Sequence, residues 1–401
     1  MAKQNKPAIR FKGFTDAWEQ RKFSDLYAPL VERNSDLLPY NKTLSVATMT
    51  YKTDGNGAAD SSLANYKRLR TGDIAFEGHT SKSFRYGRFV LNDVGDGIMS
   101  PRFSALRPLA QMPTNFWKYY IHYEPIMRKI LVASTKAGTM MNELVIDEFL
   151  KSSVLVPSIE EQTRIGSILK NIDNLITLHQ RKFDKLQVLK KAMLEKMFPK
   201  NGSSVPEIRF KGFTDAWEQR KLGDNIVEYT EVTTENNQYP PLTSSRKGIF
   251  LQTEYFAGNQ IASDDNTGYN IVPYGYFTYR HMSDDEVFHF NINDIVEKGI
   301  VSTLYPVFTT DENLDSRYLQ YQLNYGHEFA KFAILQKQGG SRTYMYLNKL
   351  RQLHLTMPNH VEEQKAISSF FMNLDHLITL HQRELEKLQN IKKSMLEKMF
   401  V

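Results

Sequence analysis

The 401 residues contain no cysteine at all. That removes disulfides, thiolate metal sites and cysteine nucleophiles together, and it fits a reducing compartment, so a cytoplasmic location is expected. Also missing is any run of 18 or more apolar residues, so no segment is expected to span a membrane. The opening MAKQNKPAIRFKGF has no apolar signal core, and no secretion signal is expected. Charge of one sign is in short supply too. Lys and Arg number 51 and Asp and Glu 45, a net +6, which permits a nucleic-acid partner without requiring one. With 41% hydrophobic residues the chain is not a disordered polymer. Its length suggests two or three domains, each able to bury a core.

Catalytic signatures are equally scarce. An adenine methyltransferase needs a (D/N)-P-P-(Y/F) loop and a Gly-rich cofactor turn. The nearest approach, Gln238-Tyr239-Pro240-Pro241-Leu242, lacks an acid or amide directly before the prolines. Gly55-Asn56-Gly57 opens no apolar-periodic helix, and there is no Walker A motif. Ten scattered His residues give neither HxH nor HExxH spacing, so no metal is expected. Glu363-Gln364-Lys365 matches a loose E-x-K, but it falls in a helix's first turn, where acids favour the helix dipole. No catalytic residue is assigned.

What is present is a duplication. Residues 9–22 read IRFKGFTDAWEQRK, and 208–221 repeat them at all 14 positions. Residues 160–198 align without a gap to 362–400, with 25 of 39 positions identical. Each half is thus a short lead segment, a variable body and a long terminal segment. The bodies, 23–157 and 222–357, share only faint anchors: Gly72-Asp73-Ile74 with Gly275-Tyr276-Phe277, Gly97 to Ser100 with Gly299 to Ser302, and Gly138 with Gly340. Both mix β-branched and aromatic runs with Gly punctuation before a helical stretch, so each reads as α+β. The aromatics of the lead segments (Phe11, Phe14 and Trp18; Phe210, Phe213 and Trp217) are expected to pack where helix meets body.

The terminal segments read as helices. Ser158 with Glu161, and Asn359 with Glu362, are expected N-caps of the capping-box kind. The apolar spacing is close to a heptad. With Ile165 at a, the first helix gives a: Ile165, Ile172, His179, Leu186, Met193, and d: Ile168, Leu175, Lys182, Leu189, Lys196. The second gives a: Ile367, Leu374, His381, Leu388, Met395, and d: Phe370, Leu377, Glu384, Ile391, Lys398. Antiparallel pairing of a with d, with residue numbers summing to about 563, places Ile172 on Ile391, Leu175 on Leu388, Leu186 on Leu377 and Leu189 on Leu374. One central polar layer then holds His179 with Glu384 and Lys182 with His381. Lys185, Lys190, Lys191, Lys387, Lys392 and Lys393 are expected to face outward, and Ile176, Phe183 and Ile378 to lie off the seam, facing additional partners.

This plan resembles the DNA-specificity (S) subunits of type I restriction–modification systems over essentially the whole chain. The likeness rests on the duplicated body-plus-helix plan, the Pro157 to Glu161-Gln162 and Pro358 to Glu363-Gln364 approaches to the helices, and the LITLHQR cores at 175–181 and 377–383. It implies an α+β chain with two pseudo-repeated target-recognition domains separated by a pair of long antiparallel coiled-coil helices. The expected boundaries are 1–157 for the first lead segment and recognition domain, 158–205 for spacer helix and linker, 206–357 for the second lead segment and domain, and 358–401 for the second spacer helix. It further implies a non-catalytic subunit that reads one DNA half-site per domain and partners double-stranded DNA, two methyltransferase subunits and restriction subunits. No cofactor is expected in this chain; S-adenosylmethionine would belong to the methyltransferase, and ATP and magnesium to the restriction partner. A 39-residue helix is roughly 58 Å long at about 1.5 Å per residue, enough to carry two readers about one DNA turn, roughly 34–36 Å, apart. The alternative left open is a stand-alone bipartite DNA-binding regulator.

Polar, basic and aromatic loops are the candidate DNA contacts, since Arg and Lys clamp phosphates or read guanine and Gln reads adenine. In the first body these are Lys52, His79, Lys82, Arg85, Tyr86, Arg88 and Lys136. In the second they are Arg246, Lys247, Arg280, Lys337, Gln338, Ser341, Arg342 and Tyr344. The charges of the bodies differ: 16 basic and 13 acidic residues over 23–157, but 10 basic and 16 acidic over 222–357. An acidic reader must gather its few cations on one face.

Overall fold

The heptad-like stretches become the two longest elements, α1 (Ile159–Lys196) and α2 (Val361–Met399). The computed structural model describes residues 6–54, 57, 59–200, 202–337 and 342–401. The anchor Gly340 and the Gly55-Asn56 pair lie outside the described residues. Two units emerge. The first comprises residues up to Arg181 together with Gln382–Val401, and the second runs from Lys182 to His381. Each long helix is divided between the units near its middle.

Within each unit, half of one long helix lies against the opposite half of the other, so the pairing is antiparallel. In the first unit Lys392 of α2 bonds Asp173 of α1 at 2.7 Å; in the second Lys190 of α1 bonds Asp375 of α2 at 2.6 Å. The seam is shifted from the expected register. The a positions hold, with Ile165, Ile172, Ile367 and Leu374 buried and Leu186 and Leu388 half-buried. The second inward row, however, lies one residue after d: Leu169, Ile176, Phe183, Lys190 and Met197, and Phe371, Ile378, Leu385, Lys392 and Met399. Leu175, Lys182, Leu189, Leu377 and Ile391 are exposed. His179, His381 and Glu384 are half-buried at the centre. The reason is that 3-4 and 4-3 spacings both approximate 3.6 residues per turn. Here apolar residues occupy both flanks of a, and the bodies claim the Leu169 and Phe371 side. Ile176, Phe183 and Ile378 fall in this row and are half-buried, and Lys190 and Lys392 are ion-pair partners across the helix pair.

The helix starts also differ from the expected boxes. Ser158 Oγ accepts from Glu161 N at 3.3 Å, as an N-cap should. Glu161 does not return the bond; its buried carboxylate takes Arg10 Nε at 2.8 Å and Nη2 at 2.6 Å. In the second half Glu363 takes Arg209 Nε at 2.6 Å and Nη2 at 2.7 Å, with Trp217 Nε1 donating at 3.3 Å. Asn359 donates to Glu218 at 2.7 Å and its amide oxygen has no partner. Each duplicated lead segment thus delivers an Arg to a buried carboxylate in the helix's first turn, one of the strong charge-assisted pairs.

The bodies share one plan. The first has a four-stranded antiparallel sheet ordered Tyr27–Pro29, Ala105–Pro108, Ile74–Glu77, Arg88–Leu91. The second repeats that order with Ile226–Glu228, Val307–Thr310, Phe277–Thr278, Asn291–Ile292. The lead strand Glu19–Lys22 pairs with Ser153–Val156, and Glu218–Lys221 with His354–Met357. The faint glycine anchors mark close approaches. A Cβ on Gly97 would meet Leu44 Cδ1 at 2.6 Å, and one on Gly299 would meet Leu242 Cδ1 at 2.4 Å. Gly72 and Gly275, at φ +95° and +84°, make the turns before the central strands, a conformation glycine adopts without a Cβ clash. Phe400, just after α2, inserts among Phe116, Tyr120 and Tyr123 of the first core. Phe198, after α1, inserts among Trp217, Tyr318 and Phe371 of the second.

Candidate nucleic-acid interface

In the first unit three loops distant in sequence converge. Arg88 reaches the 45–50 loop through Nη2 to Ala47 O at 2.9 Å and lies over the Phe84 ring. Phe84 packs on His122, whose Nδ1 meets Phe89 O at 3.2 Å. Burial lowers the His122 pKa, so a neutral ring donating from Nδ1 fits this contact. The 137–142 loop closes on the same place, with Asn142 N donating to Gly78 O at 3.0 Å and its side chain to Arg85 O at 3.3 Å. Gly87 allows the crossing: it sits at φ +86°, and a Cβ there would meet Glu77 O at 2.7 Å.

The candidates take different places in this assembly. Lys52, Lys82 and Arg85 are exposed, and among the described residues no carboxylate pairs with Lys82 or Arg85. Tyr86 is half-buried against the core. Two others are held by acids: His79 meets buried Glu77 at 2.5 Å, and Lys136 meets Glu143 at 3.3 Å. Beside Arg88 a cleft of about 330 Å³ runs between the body and the helix pair, lined in part by Thr48, Lys118, His122, Asp173 and Lys392.

The second unit converges in the same way with opposite electrostatics. The strand Met282–Ser283 pairs with Thr343–Tyr344, which brings the 280–287 loop and the 342–346 segment together. Asn291 Nδ2 donates to Ser244 Oγ at 2.8 Å and Ser245 O at 2.9 Å, adding the 244–248 turn. Three of the predicted cations are then held by one acidic loop. Arg246 meets Asp285, Arg342 meets Asp284 at 2.8 Å, and Lys337 meets Glu286. Lys247 and Arg280 stay exposed. Tyr344 forms a shelf with Tyr346 and His281. Gln338 and Ser341 lie outside the described residues. The acidic loop and Tyr346 are not among the residues expected from sequence, although the run Ser283-Asp284-Asp285-Glu286 is a visible signal.

A further repeated device joins body to helices in each unit. Tyr119 OH donates to Asp173 at 2.6 Å beside Lys392, and Tyr321 OH donates to Asp375 at 2.7 Å beside Lys190. Burial and the carboxylate raise the pKa of both phenols, so both stay protonated as donors. Among the described residues no group of three or more His, Asp or Glu side chains could hold a metal. No helix among them is long and apolar enough to cross a membrane.

Comparison with known proteins agrees with this duplicated architecture. The sequence pattern of the family described as "Type I restriction modification DNA specificity domain" matches residues 81–188 and 215–390. The chain is similar to the protein named as the type I restriction enzyme MjaX specificity subunit of Methanocaldococcus jannaschii, at 22% identity over 94% of this chain and 92% of that one. It is similar to the MjaVIII specificity subunit of the same organism at 24% identity, over 69% of this chain and 68% of that one. In fold it is similar to the crystal structure of the type I restriction–modification S subunit from M. genitalium. There the TM-score is 0.59 and the identity 12%, over 99% of both chains.

Proposed function

The chain belongs to the family of type I restriction–modification DNA-specificity proteins, and from that premise we propose that it reads a bipartite DNA sequence, one half-site per unit. In this reading it catalyses nothing itself. It directs adenine methylation by two methyltransferase subunits, which use S-adenosylmethionine, and cleavage by restriction subunits, which use ATP and magnesium. The observation that carries the reading is the pairing of one sheet order, repeated in both units, with loop sets of unlike chemistry. A common scaffold in which, among the described residues, Lys82 and Arg85 have no carboxylate partner in one unit while Arg246 and Arg342 are held by acids in the other suits two different half-sites.

The exposed apolar residues of the long helices support a docked partner. Leu175, Leu178, Leu377 and Leu380 are each more than 40% exposed, and they recur at matching positions of the LITLHQR cores. Apolar side chains so placed mark interaction surfaces.

The test is to co-express the chain with its methyltransferase subunit in a methylation-free host and map methyladenine across the genome. The expected result is one split motif, two specific halves around a fixed nonspecific gap. A stable complex with an active methyltransferase and no such motif would overturn the reading in favour of a stand-alone DNA-binding regulator.

A further inference from the structure

The cations at the second unit's loop cluster are held differently from those of the first, and the difference bears on what they contact. Asp285 Oδ2 accepts from Arg246 Nη1 at 2.8 Å and Oδ1 from Nη2 at 2.5 Å. Asp285 is itself fixed by Ser283 Oγ at 2.8 Å and Val287 N at 3.3 Å. The adjoining residue Glu286 sits at φ +59° and accepts from Lys337, an uncommon conformation for a residue with a Cβ. Asp284 accepts from Arg342 Nε at 2.8 Å. Both guanidinium groups remain about half exposed.

A phosphate clamp gains from an uncompensated cation, because its affinity comes from charge and counterion release. A carboxylate bonded to that cation cancels much of the charge it offers. A base reader has another need: its donors must be held in one plane, since guanine is recognised by two parallel bonds to O6 and N7. The geometry suits the second task. Arginine has five N–H donors in a flat fork. Asp285 takes the end of the Arg246 fork, leaving the edge formed by Nε–H and the neighbouring Nη–H. Asp284 takes Nε of Arg342, leaving its two Nη groups. In each case one bidentate edge remains open while the plane is fixed.

We propose that Arg246 and Arg342 are specificity-determining residues that read guanine in the half-site of the second unit, with Asp285 and Asp284 as positioning residues that orient them. This rests on the bipartite-reader function argued above. Lys82 and Arg85 of the first unit are the contrasting phosphate-clamp type.

The test uses the full chain assembled with its methyltransferase subunit, with genome-wide methyladenine mapping and salt-dependent binding to the mapped site as readouts. R246A should lose discrimination at a single G·C pair of one half-site by tenfold or more, with the other half-site unchanged. R342A should do the same at a different pair. R246K keeps the charge but not the fork, so it should behave as R246A does; a phosphate clamp would be rescued by lysine. D285N should weaken discrimination at the pair that R246A affects. K82A is the control, expected to weaken all sequences alike and to lower the slope of log K against log[salt] by about 0.9.

Uniform weakening by R246A with a lowered slope would overturn the inference, as would rescue by R246K. Tighter binding with a steeper slope in D285N would also overturn it, because the carboxylate would then be a competitor of phosphate. A wild-type complex with no split motif would overturn the bipartite-reader function and this inference with it. A normal wild-type motif left unchanged by R246A and R342A overturns this inference alone.

Discussion

At the scale of single residues, the strongest constraints are buried carboxylates whose charge has one designated partner. Glu363 is wholly buried and accepts from both Nε and Nη2 of Arg209. Removing one partner of such a pair leaves an uncompensated charge in low dielectric, at a cost of about 3–5 kcal/mol. R209A should therefore destabilise the chain by about that much in urea unfolding, and R209M combined with E363L should recover most of it. Glu32 behaves differently because it is partly exposed. Hydrogen bonds from Arg70, then from Arg107, pull its pKa down to about 2, below the ordinary 4.5. A group whose folded pKa is lowered adds stability above its unfolded pKa and loses it as pH falls through the folded value. E32Q should be less stable than the wild type at neutral pH, and the gap in melting temperature should close between about pH 4.5 and about pH 2. A gap that stayed constant through that window would show that the carboxylate charge is not what stabilises.

At the scale of elements, the helix pair separates two kinds of aliphatic residue that the sequence presents alike. Ile172 and Leu374 are buried in the seam, whereas Leu175 and Leu377 are exposed. I172A and L374A should each cost about 2–5 kcal/mol, the usual range for truncating a buried aliphatic side chain. L175S and L377S should each cost less than about 1 kcal/mol while weakening capture of the methyltransferase subunit in a pull-down. The antiparallel sense and the a row were legible in the sequence because like residues would otherwise stack, His179 on His381. The second row was not, since Ile168 and Leu169 are both apolar and only packing against the body decides between them. The three loops of each unit were legible as basic, aromatic segments, but their convergence was not, because it depends on contacts between distant residues such as Arg88 with Ala47. What escaped was their pairing with the acidic loop: Arg246 and Asp285 are 39 residues apart, and nothing local announces the contact. By sequence position Glu161 is a capping-box acid and Glu363 a first-turn acid facing the helix dipole. Their true partners, Arg10 and Arg209, stand more than 150 residues away.

At the scale of the whole molecule, the duplication is not two self-contained halves in sequence. The first core is completed by the end of α2: Phe400 sits among Phe116, Tyr120 and Tyr123, and Ile9 N donates to Lys398 O at 3.0 Å. The second core is completed by the end of α1, with Phe198 inserted and Ile208 N donating to Lys196 O at 2.9 Å. Each MLEKMF box therefore plugs the unit that contains the lead segment facing it, and one of those lead segments lies almost the full chain length away. F400A should remove about 3–5 kcal/mol from the first unit, although the residue is next to last in the sequence. Hydrogen exchange should then show protection lost over 114–134 and retained over 316–335, and F198A should give the converse. If each half instead folded on its own sequence, F400A would deprotect residues of the second unit. The insertion of Phe400 into one core and Phe198 into the other accounts for the two boxes being alike while the bodies differ: a plug that fits both cores fixes the frame and leaves the loops free to vary.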